Sequence, residues 1–158
     1  MTKKVIILRA PSGTGKSTYA KTNYGGANIM SSDDFWKLLD PTKTYQENFN
    51  MKRLGEAHSW NLRRFINLLN SAEYVDNYTI VVDNTNTTVA EIAPYYAAAL
   101  AFGWEPEIIS LVVHPDIAFE RNVHGVPKEA HRAQVERFYR AFDDIPPWWN
   151  HKTIELGV

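Results

Sequence analysis

The sequence contains no cysteine among its 158 residues. Disulfide bonds, thiolate metal sites and thiol nucleophiles are therefore excluded, and no disulfide-linked partner is expected. The chain also lacks any apolar run of about 18 residues, so no membrane-spanning segment is expected. Its first residues include only four clearly apolar positions in a row before Arg9, a pattern unlike a signal peptide. These absences together predict a cytoplasmic protein.

A strong charge of either sign is missing as well. Lysine and arginine number 17, aspartate and glutamate number 18, and the formal net charge is −1. Proteins that bind nucleic acid along a broad surface usually carry a basic face, so a general polyanion binder is not expected. The length predicts a single domain over residues 1–158, and a hydrophobic content of 44% is enough for a packed core.

What the sequence does contain is a glycine-rich run, PSGTGKST at 11–18, directly after a short apolar strand at 5–8. Backbone N–H groups of such a turn, and the start of the following helix, can face phosphates. Lys16 is predicted to reach the β- and γ-phosphates, and Ser17 to offer its hydroxyl to Mg²⁺. Ala10 stands where the pattern has its first glycine. The predicted nucleotide-binding residues of this run are Ser12, Gly13, Thr14, Gly15, Lys16, Ser17 and Thr18.

Strands and helices alternate along the chain, which predicts an α/β fold with a parallel sheet and right-handed crossovers. The predicted strands are 5–8, 28–30, 78–82, 108–113 and 153–156. A polar loop is expected at 41–46 and a long helix at about 49–69. Pro94 predicts a kink or a later start in the helix that follows Thr88. Ligands of such sheets bind at the carboxyl ends of the strands.

Polar clusters follow the first three strands, so we expect them to converge at one edge of the sheet. Each cluster alone could simply start a helix, but three in succession favour a functional site. Asp33 is the candidate general base for an attacking hydroxyl, with Asp34 as the competing candidate. Asp83 is predicted to lie on the metal side, accepting a hydrogen bond from a metal-bound water or from Ser17. The polar residues that follow, Thr85 and Asn86, are equally compatible with turn formation and with acceptor binding.

Two further segments carry candidate residues. His58 and Asn61 interrupt an apolar helix face, either as a satisfied core pair or as contacts to an acceptor. Arg121, in the run RNVHG at 121–125, could stabilise charge that develops on the triphosphate.

Taken together, these motifs resemble the phosphate-loop kinase domain of phage-type 5′-polynucleotide kinases. They are also similar to the related kinase-like domains of some eukaryotic ubiquitin-ligase-binding proteins. The matching segments are 11–18 (PSGTGKST), 32–35 (SDDF), 57–61 (AHSWN), 82–86 (VDNTN) and 121–126 (RNVHGV). The resemblance implies a P-loop NTPase/kinase fold: a five-stranded parallel sheet flanked by helices, with a helical lid.

The same resemblance implies ATP and Mg²⁺ as cofactors and a nucleic acid, DNA or RNA, as the substrate whose 5′-hydroxyl receives the γ-phosphoryl group. By this pattern Lys16 and Ser17 hold phosphates and metal, Asp33 is the general base, and Arg121 belongs to the lid. If a phage encodes the chain, its compartment would be the host cytoplasm.

The sequence departs from this family at two positions. Trp36 stands where the phage-type kinases place an arginine that holds an acceptor phosphate, and His124 replaces a second lid arginine. Trp36 could instead stack on or wall a base. Two alternatives therefore stay open: a kinase of a hydroxymethylated base, nucleoside or small hydroxyl compound, and a nucleotide-dependent binding module or ATPase.

Overall fold

The computed structural model describes residues 2–121 and 125–157. The predicted lid position His124 therefore lies outside the described residues. The strands are β1 (Lys3–Arg9), β2 (Asn28–Met30), β3 (Tyr78–Asp83), β4 (Glu105–Val112) and β5 (His151–Glu155). The helices are α1 (Lys16–Tyr24), α2 (Asp34–Leu39), α3 (Tyr45–Asn48), α4 (Leu54–Ser71), α5 (Val89–Ala101), α6 (Pro115–Glu120) and α7 (Lys128–Asp144), with a 3₁₀ turn at Met51–Arg53.

All five strands form one parallel sheet in the order β2-β3-β1-β4-β5. The predicted five-stranded parallel sheet is thereby confirmed. Leu8 pairs with Asp83, and Met30 pairs with Val82. The carboxyl ends of β1, β2 and β3 therefore lie at the same edge, where the three polar clusters were expected to meet.

The central strand β1 is buried on both faces. Val5 and Ile7 belong to a core shared with α4 and α5, where Phe65 is buried. Ile6 and Leu8 belong to a second core on the other face, shared with α1. This alternation follows from the two-residue period of a strand. Because both faces are buried, residues 5–8 of β1 form an uninterrupted apolar run. None of the helices in the described ranges combines the length and apolar character needed to cross a bilayer.

The structure corrects the sequence prediction between residues 41 and 53. The predicted long helix begins at Leu54 rather than near 49, because the Asn50 side chain accepts a hydrogen bond from Lys52 N–H and forms a separate turn. The predicted polar loop at 41–46 overlaps the first two residues of α3 (Tyr45–Asn48), whose first turn is closed by a capping box between Thr44 and Glu47.

The helix after β3 also differs from its prediction. α5 begins at Val89, directly after Thr88, whose hydroxyl accepts a hydrogen bond from Glu91 N–H at 3.3 Å. The later start suggested by Pro94 is therefore wrong. Pro94 is the sixth residue of α5 and lies on its exposed side, so its ring faces solvent.

Candidate functional site

The glycine-rich run forms the loop between β1 and α1, which we call the phosphate loop. Gly13 and Gly15 have φ values of 84° and 99°, a region that residues with a Cβ rarely adopt. Thr14 closes the loop by donating its hydroxyl to Pro11 O at 2.8 Å. Gly15 is the N-cap of α1, and the first turn of this helix has neither a side-chain cap nor an acidic residue. The positive end of the α1 dipole is thus available to an anion.

Asp83 contacts the side chains of the first two residues of α1, Lys16 and Ser17. Its Oδ1 accepts a hydrogen bond from Lys16 Nζ at 2.8 Å, and its Oδ2 accepts one from Ser17 Oγ at 3.0 Å. The Lys16 and Asp83 side chains are 14% and 7% exposed. The contact that the sequence predicted between Asp83 and Ser17 is therefore present.

These residues fit a triphosphate with Mg²⁺. Lys16 and the α1 N-terminus provide positive charge for phosphate oxygens, while Ser17 and Asp83 are oxygen donors of the kind Mg²⁺ prefers. No cluster of three or more histidine, cysteine, aspartate or glutamate side chains suited to a metal occurs in residues 2–121 and 125–157. A set of one hydroxyl and one carboxylate suits Mg²⁺, which usually keeps several waters and binds substrate phosphates.

Asp33 lies half-buried at the start of α2, after β2, the strand that pairs with the Asp83 strand β3. Although it occupies the N-cap position, its side chain makes no capping hydrogen bond. Its Oδ1 accepts a hydrogen bond from the Tyr45 hydroxyl at 3.2 Å. Burial, with the adjacent Asp33, raises the pKa of Tyr45 well above its usual range, so this hydroxyl remains a donor. Tyr45 lies in α3, in a segment predicted as loop, and was not foreseen as a site residue.

Asp34, the competing candidate base, has a different environment. Its carboxylate lies 3.0 Å from Arg64 Nη2, which also donates to Asn61 Oδ1 at 2.8 Å. The Arg64 guanidinium stacks over the Trp60 ring at 4.2 Å. Proton uptake by Asp34 would break this ion pair, so the geometry favours Asp33 as the base, although that role stays a prediction.

Ser32 makes two of the contacts that hold the loop after β2. Ser32 N–H donates to Asn84 Oδ1 at 2.8 Å, which ties this loop to the one after β3. Ser32 Oγ lies 3.1 Å from His58 Nδ1. His58 is exposed and Thr85 is half-buried, so both remain candidates for contact with an acceptor.

A family model described as AAA domain matches residues 5–145. The chain belongs to this AAA domain family. Over 151 residues it is 32% identical to human NEDD4-binding protein 2, a match that covers 90% of this chain. The chain spans only 8% of the length of that relative.

Solved kinase structures share the fold of this AAA domain. A gluconokinase from Sinorhizobium meliloti superimposes with a TM-score of 0.62 at 14% identity, covering 99% of this chain and 84% of that one. A shikimate kinase from Acinetobacter baumannii gives 0.58 at 13% identity, covering 100% and 86%. At these identities the likeness establishes the fold, and the predicted P-loop NTPase/kinase fold is confirmed. Membership of the phage-type polynucleotide kinases stays a prediction.

Burial in the AAA domain contradicts three predicted acceptor contacts. Trp36, Asn61 and Asn86 are each at most 1% exposed. Asn61 Nδ2 donates to the Tyr95 hydroxyl at 2.9 Å, which is the satisfied core arrangement that the sequence left open. Asn86 Nδ2 donates to Leu8 O at 2.8 Å. These side chains contact protein groups in the interior, so they shape the site rather than line its surface.

Trp36 is the clearest of these corrections. Its ring packs against the rings of Phe35 and Phe49, at centroid distances of 5.0 and 5.1 Å. A base could stack on Trp36 only if this aromatic cluster opened. Local sequence could not predict this burial, because burial on a six-residue helix depends on what packs over it.

Arg9, which the sequence did not mark as a site residue, anchors the base of the phosphate loop. Its guanidinium is fully buried and donates to Asn86 O at 3.1 Å, Ser110 Oγ at 2.8 Å and Phe138 O at 2.6 Å. Burial lowers the pKa of Arg9 to about 10, so it stays charged at neutral pH. The side chain thereby connects the end of β1 to β4, α7 and the loop after β3.

Arg121 is exposed at the C-terminal end of α6. The rest of its motif, residues 122–124, lies outside the described residues. Its role over the triphosphate and the helical lid around it stay predictions.

Proposed function

We propose that the protein transfers the γ-phosphoryl group of ATP, with Mg²⁺, to the 5′-hydroxyl of a nucleic acid. The observation that carries this proposal is the Asp83 carboxylate, which accepts hydrogen bonds from both Lys16 and Ser17 beside the uncapped start of α1. Asp33 follows the neighbouring strand β2 as the N-cap of α2, and in this proposal it faces the acceptor.

The residues of the site have distinct roles in this proposal. Lys16 and the α1 N-terminus bind and orient the phosphates, and Ser17 and Asp83 would hold the metal. When bound, Mg²⁺ would neutralise negative charge on the phosphates. Asp33 accepts the proton of the attacking hydroxyl as its oxygen bonds to the γ-phosphorus and the bond to the β-phosphate oxygen breaks. Arg121 would add positive charge as the transfer proceeds.

Support for a nucleic-acid acceptor comes from the resemblance of segments 32–35 and 57–61 to polynucleotide kinases. His58 and Thr85 flank the loop that bears Asp33 and are accessible enough to contact such an acceptor. The near-zero net charge favours contact with one strand end rather than with a long stretch of phosphates.

A second candidate is transfer to a small hydroxyl compound or to a hydroxymethylated base. Two observations favour it: the position three residues after Asp33 carries a buried tryptophan, and Arg64 is paired with Asp34. Both arrangements reduce the positive charge offered to an acceptor phosphate. A gluconokinase and a shikimate kinase share this fold, and their names describe small hydroxyl acids as substrates.

One assay separates these functions. The protein is incubated with γ-labelled ATP and Mg²⁺, together with 5′-hydroxyl DNA and RNA oligonucleotides, base-hydroxymethylated duplex, nucleosides, gluconate or shikimate. Label at an oligonucleotide 5′ end supports the proposal, while label only on a small compound or a modified base supports the second candidate. Release of phosphate without transfer would identify an ATPase. Lys16→Ala serves as the control and should abolish both transfer and hydrolysis.

A further inference from the structure

The two polar backbone groups of Ser12, in the middle of the phosphate loop, are both bound by side chains of α7. Ser12 N–H donates to Gln134 Oε1 at 3.2 Å, and Ser12 O lies 2.8 Å from His131 Nε2. Because a carbonyl oxygen only accepts, His131 Nε2 is the donor in this pair. The two side chains are three residues apart and so share one face of the helix. His131 is 3% exposed.

These bonds fix the orientation of two successive peptide groups. In a trans peptide the C=O and the following N–H point in opposite directions. Gln134 binds Ser12 N–H, so Pro11 C=O points away from α7, where it accepts from Thr14. His131 binds Ser12 C=O, so Gly13 N–H also points away from α7.

The peptide between Ser12 and Gly13 needs such a restraint. Gly13 has a φ of 84°, and glycine adopts positive and negative φ about equally well. The peptide before a glycine can therefore rotate with little steric cost, which would turn its N–H to the opposite side. In this loop the hydrogen bond from His131 selects one orientation.

We propose that His131 and Gln134 are positioning residues for nucleotide binding, which keep the Gly13 N–H directed toward the phosphates. The inference rests on the proposed function, since it takes the loop to bind a triphosphate. Without these bonds the loop spends part of its time with that donor turned away. Nucleotide affinity then falls, because the loop must be reordered when the phosphates bind.

The competing explanation is that His131 only fills space. Its ring packs edge-on against Phe119 of α6, with centroids 5.6 Å apart. Two variants distinguish the explanations. His131→Leu removes the donor and keeps an apolar side chain, whereas His131→Gln keeps an N–H donor at a similar reach.

The experiment measures binding of a non-hydrolysable ATP analogue with Mg²⁺ by calorimetry, using the full chain. Loss of one hydrogen bond to a charged phosphate corresponds to a decrease in affinity on the order of ten-fold, which we expect for His131→Leu. Gln134→Met should weaken binding about three- to ten-fold. His131→Gln should stay close to the wild type. Glu136→Met, on the exposed side of α7, is the matched control.

Thermal melting without nucleotide is followed in parallel, and the half-buried Gln134 provides a variant expected to fold even if His131→Leu does not. Wild-type affinity in Gln134→Met and His131→Leu would overturn the inference while leaving the proposed function intact. Equal weakening in His131→Gln and His131→Leu, with Gln134→Met unaffected, would also overturn it and assign His131 to packing. If the wild-type protein binds no nucleoside triphosphate, the proposed function itself fails.

Discussion

Replacing Asp83 by asparagine tests the arrangement on which the proposed function depends. The change removes a negative charge while preserving the size of the side chain. Asparagine retains a carbonyl oxygen that can accept the hydrogen bond from Ser17. The loss therefore falls mainly on Lys16, whose ammonium group lies 2.8 Å from Asp83 Oδ1.

The cost in stability follows from the burial of this pair. With exposures of 14% and 7%, neither charge is well solvated. Removing one partner of a buried ion pair costs about 3–5 kcal/mol, because the remaining charge is left uncompensated. Because the Lys16 side chain is the more exposed of the two, we expect the lower limit, about 3 kcal/mol. Urea denaturation without nucleotide measures this difference.

The effect of the same substitution on nucleotide affinity should have opposite signs with and without Mg²⁺. Without metal, Asp83 competes with the phosphates for Lys16 and repels them. We therefore expect ATP with EDTA to bind Asp83→Asn about ten-fold more tightly than the wild type, a difference of about 1.4 kcal/mol. With Mg²⁺ the order should be the opposite, since the variant lacks the carboxylate predicted to hold the metal. Calorimetric titrations under both conditions measure the two affinities.

Glu107→Gln is the matched control, because Glu107 pairs with Lys152 at 3.6 Å on the more exposed β4–β5 edge. Exposed pairs of this kind contribute at most about 1 kcal/mol, so this variant should stay near the wild type in both assays. Two results would refute the reasoning about Asp83. One is a stability loss no larger than that of the control, and the other is an equal change in affinity with and without Mg²⁺.

Three further predictions concern other parts of the molecule. Asp33→Asn should abolish label transfer while ATP affinity stays within about three-fold of the wild type, and retained transfer would remove Asp33 from the role of base. Trp36→Ala should lower the free energy of unfolding by about 3–5 kcal/mol in urea, because the side chain is fully buried. Trp148→Ala, at an 80% exposed position, should change it by less than about 0.5 kcal/mol; similar losses in both would contradict the packing described. Burial, with the neighbouring Arg9 charge, lowers the pKa of His151 from its usual 6.5, so protonation favours the unfolded chain and stability should fall as the pH decreases below about 6.5. His151→Gln should flatten this dependence between pH 7.5 and pH 5.5, and an unchanged slope would assign it to other groups.

Most of the sheet could be predicted from the sequence because β1, β3 and β4 each contain a short apolar run, whereas β5 (HKTIE) has no such run and begins two residues before its prediction. β2 was predicted with the bounds that the structure has, Asn28–Met30. The segment near residue 50 could not be predicted in this way. There the helical pattern extends further toward the N-terminus than the helix itself, because hydrogen bonds of Asn50 and Thr44 produce local turns.

The two halves of the candidate site differed in how far they could be predicted. The phosphate-binding half lies in one contiguous motif, so Lys16 and Ser17 could be predicted directly from the sequence. On the acceptor side, exposure depends on partners far along the chain. Asn61 is satisfied by a tyrosine 34 residues away, and no local pattern distinguishes that partner from a bound ligand. The contacts to Ser12 span more than 100 residues of sequence, so they could not be predicted from a local pattern either.

The site is held together by hydrogen bonds between its loops as well as within them. Ala10 N–H donates to Thr85 O at 3.0 Å, which joins the phosphate loop to the loop after β3. Ser32 N–H and Asn84 then join that loop to the one bearing Asp33. The phosphate loop on one side and the loop bearing Asp33 on the other are thus connected through the loop after β3. Phosphoryl transfer depends mainly on such positioning, since the protein takes little part in the covalent chemistry. A displacement of the loop after β3 would therefore disturb both sides at once, because Asp83 and Asn84 are consecutive residues.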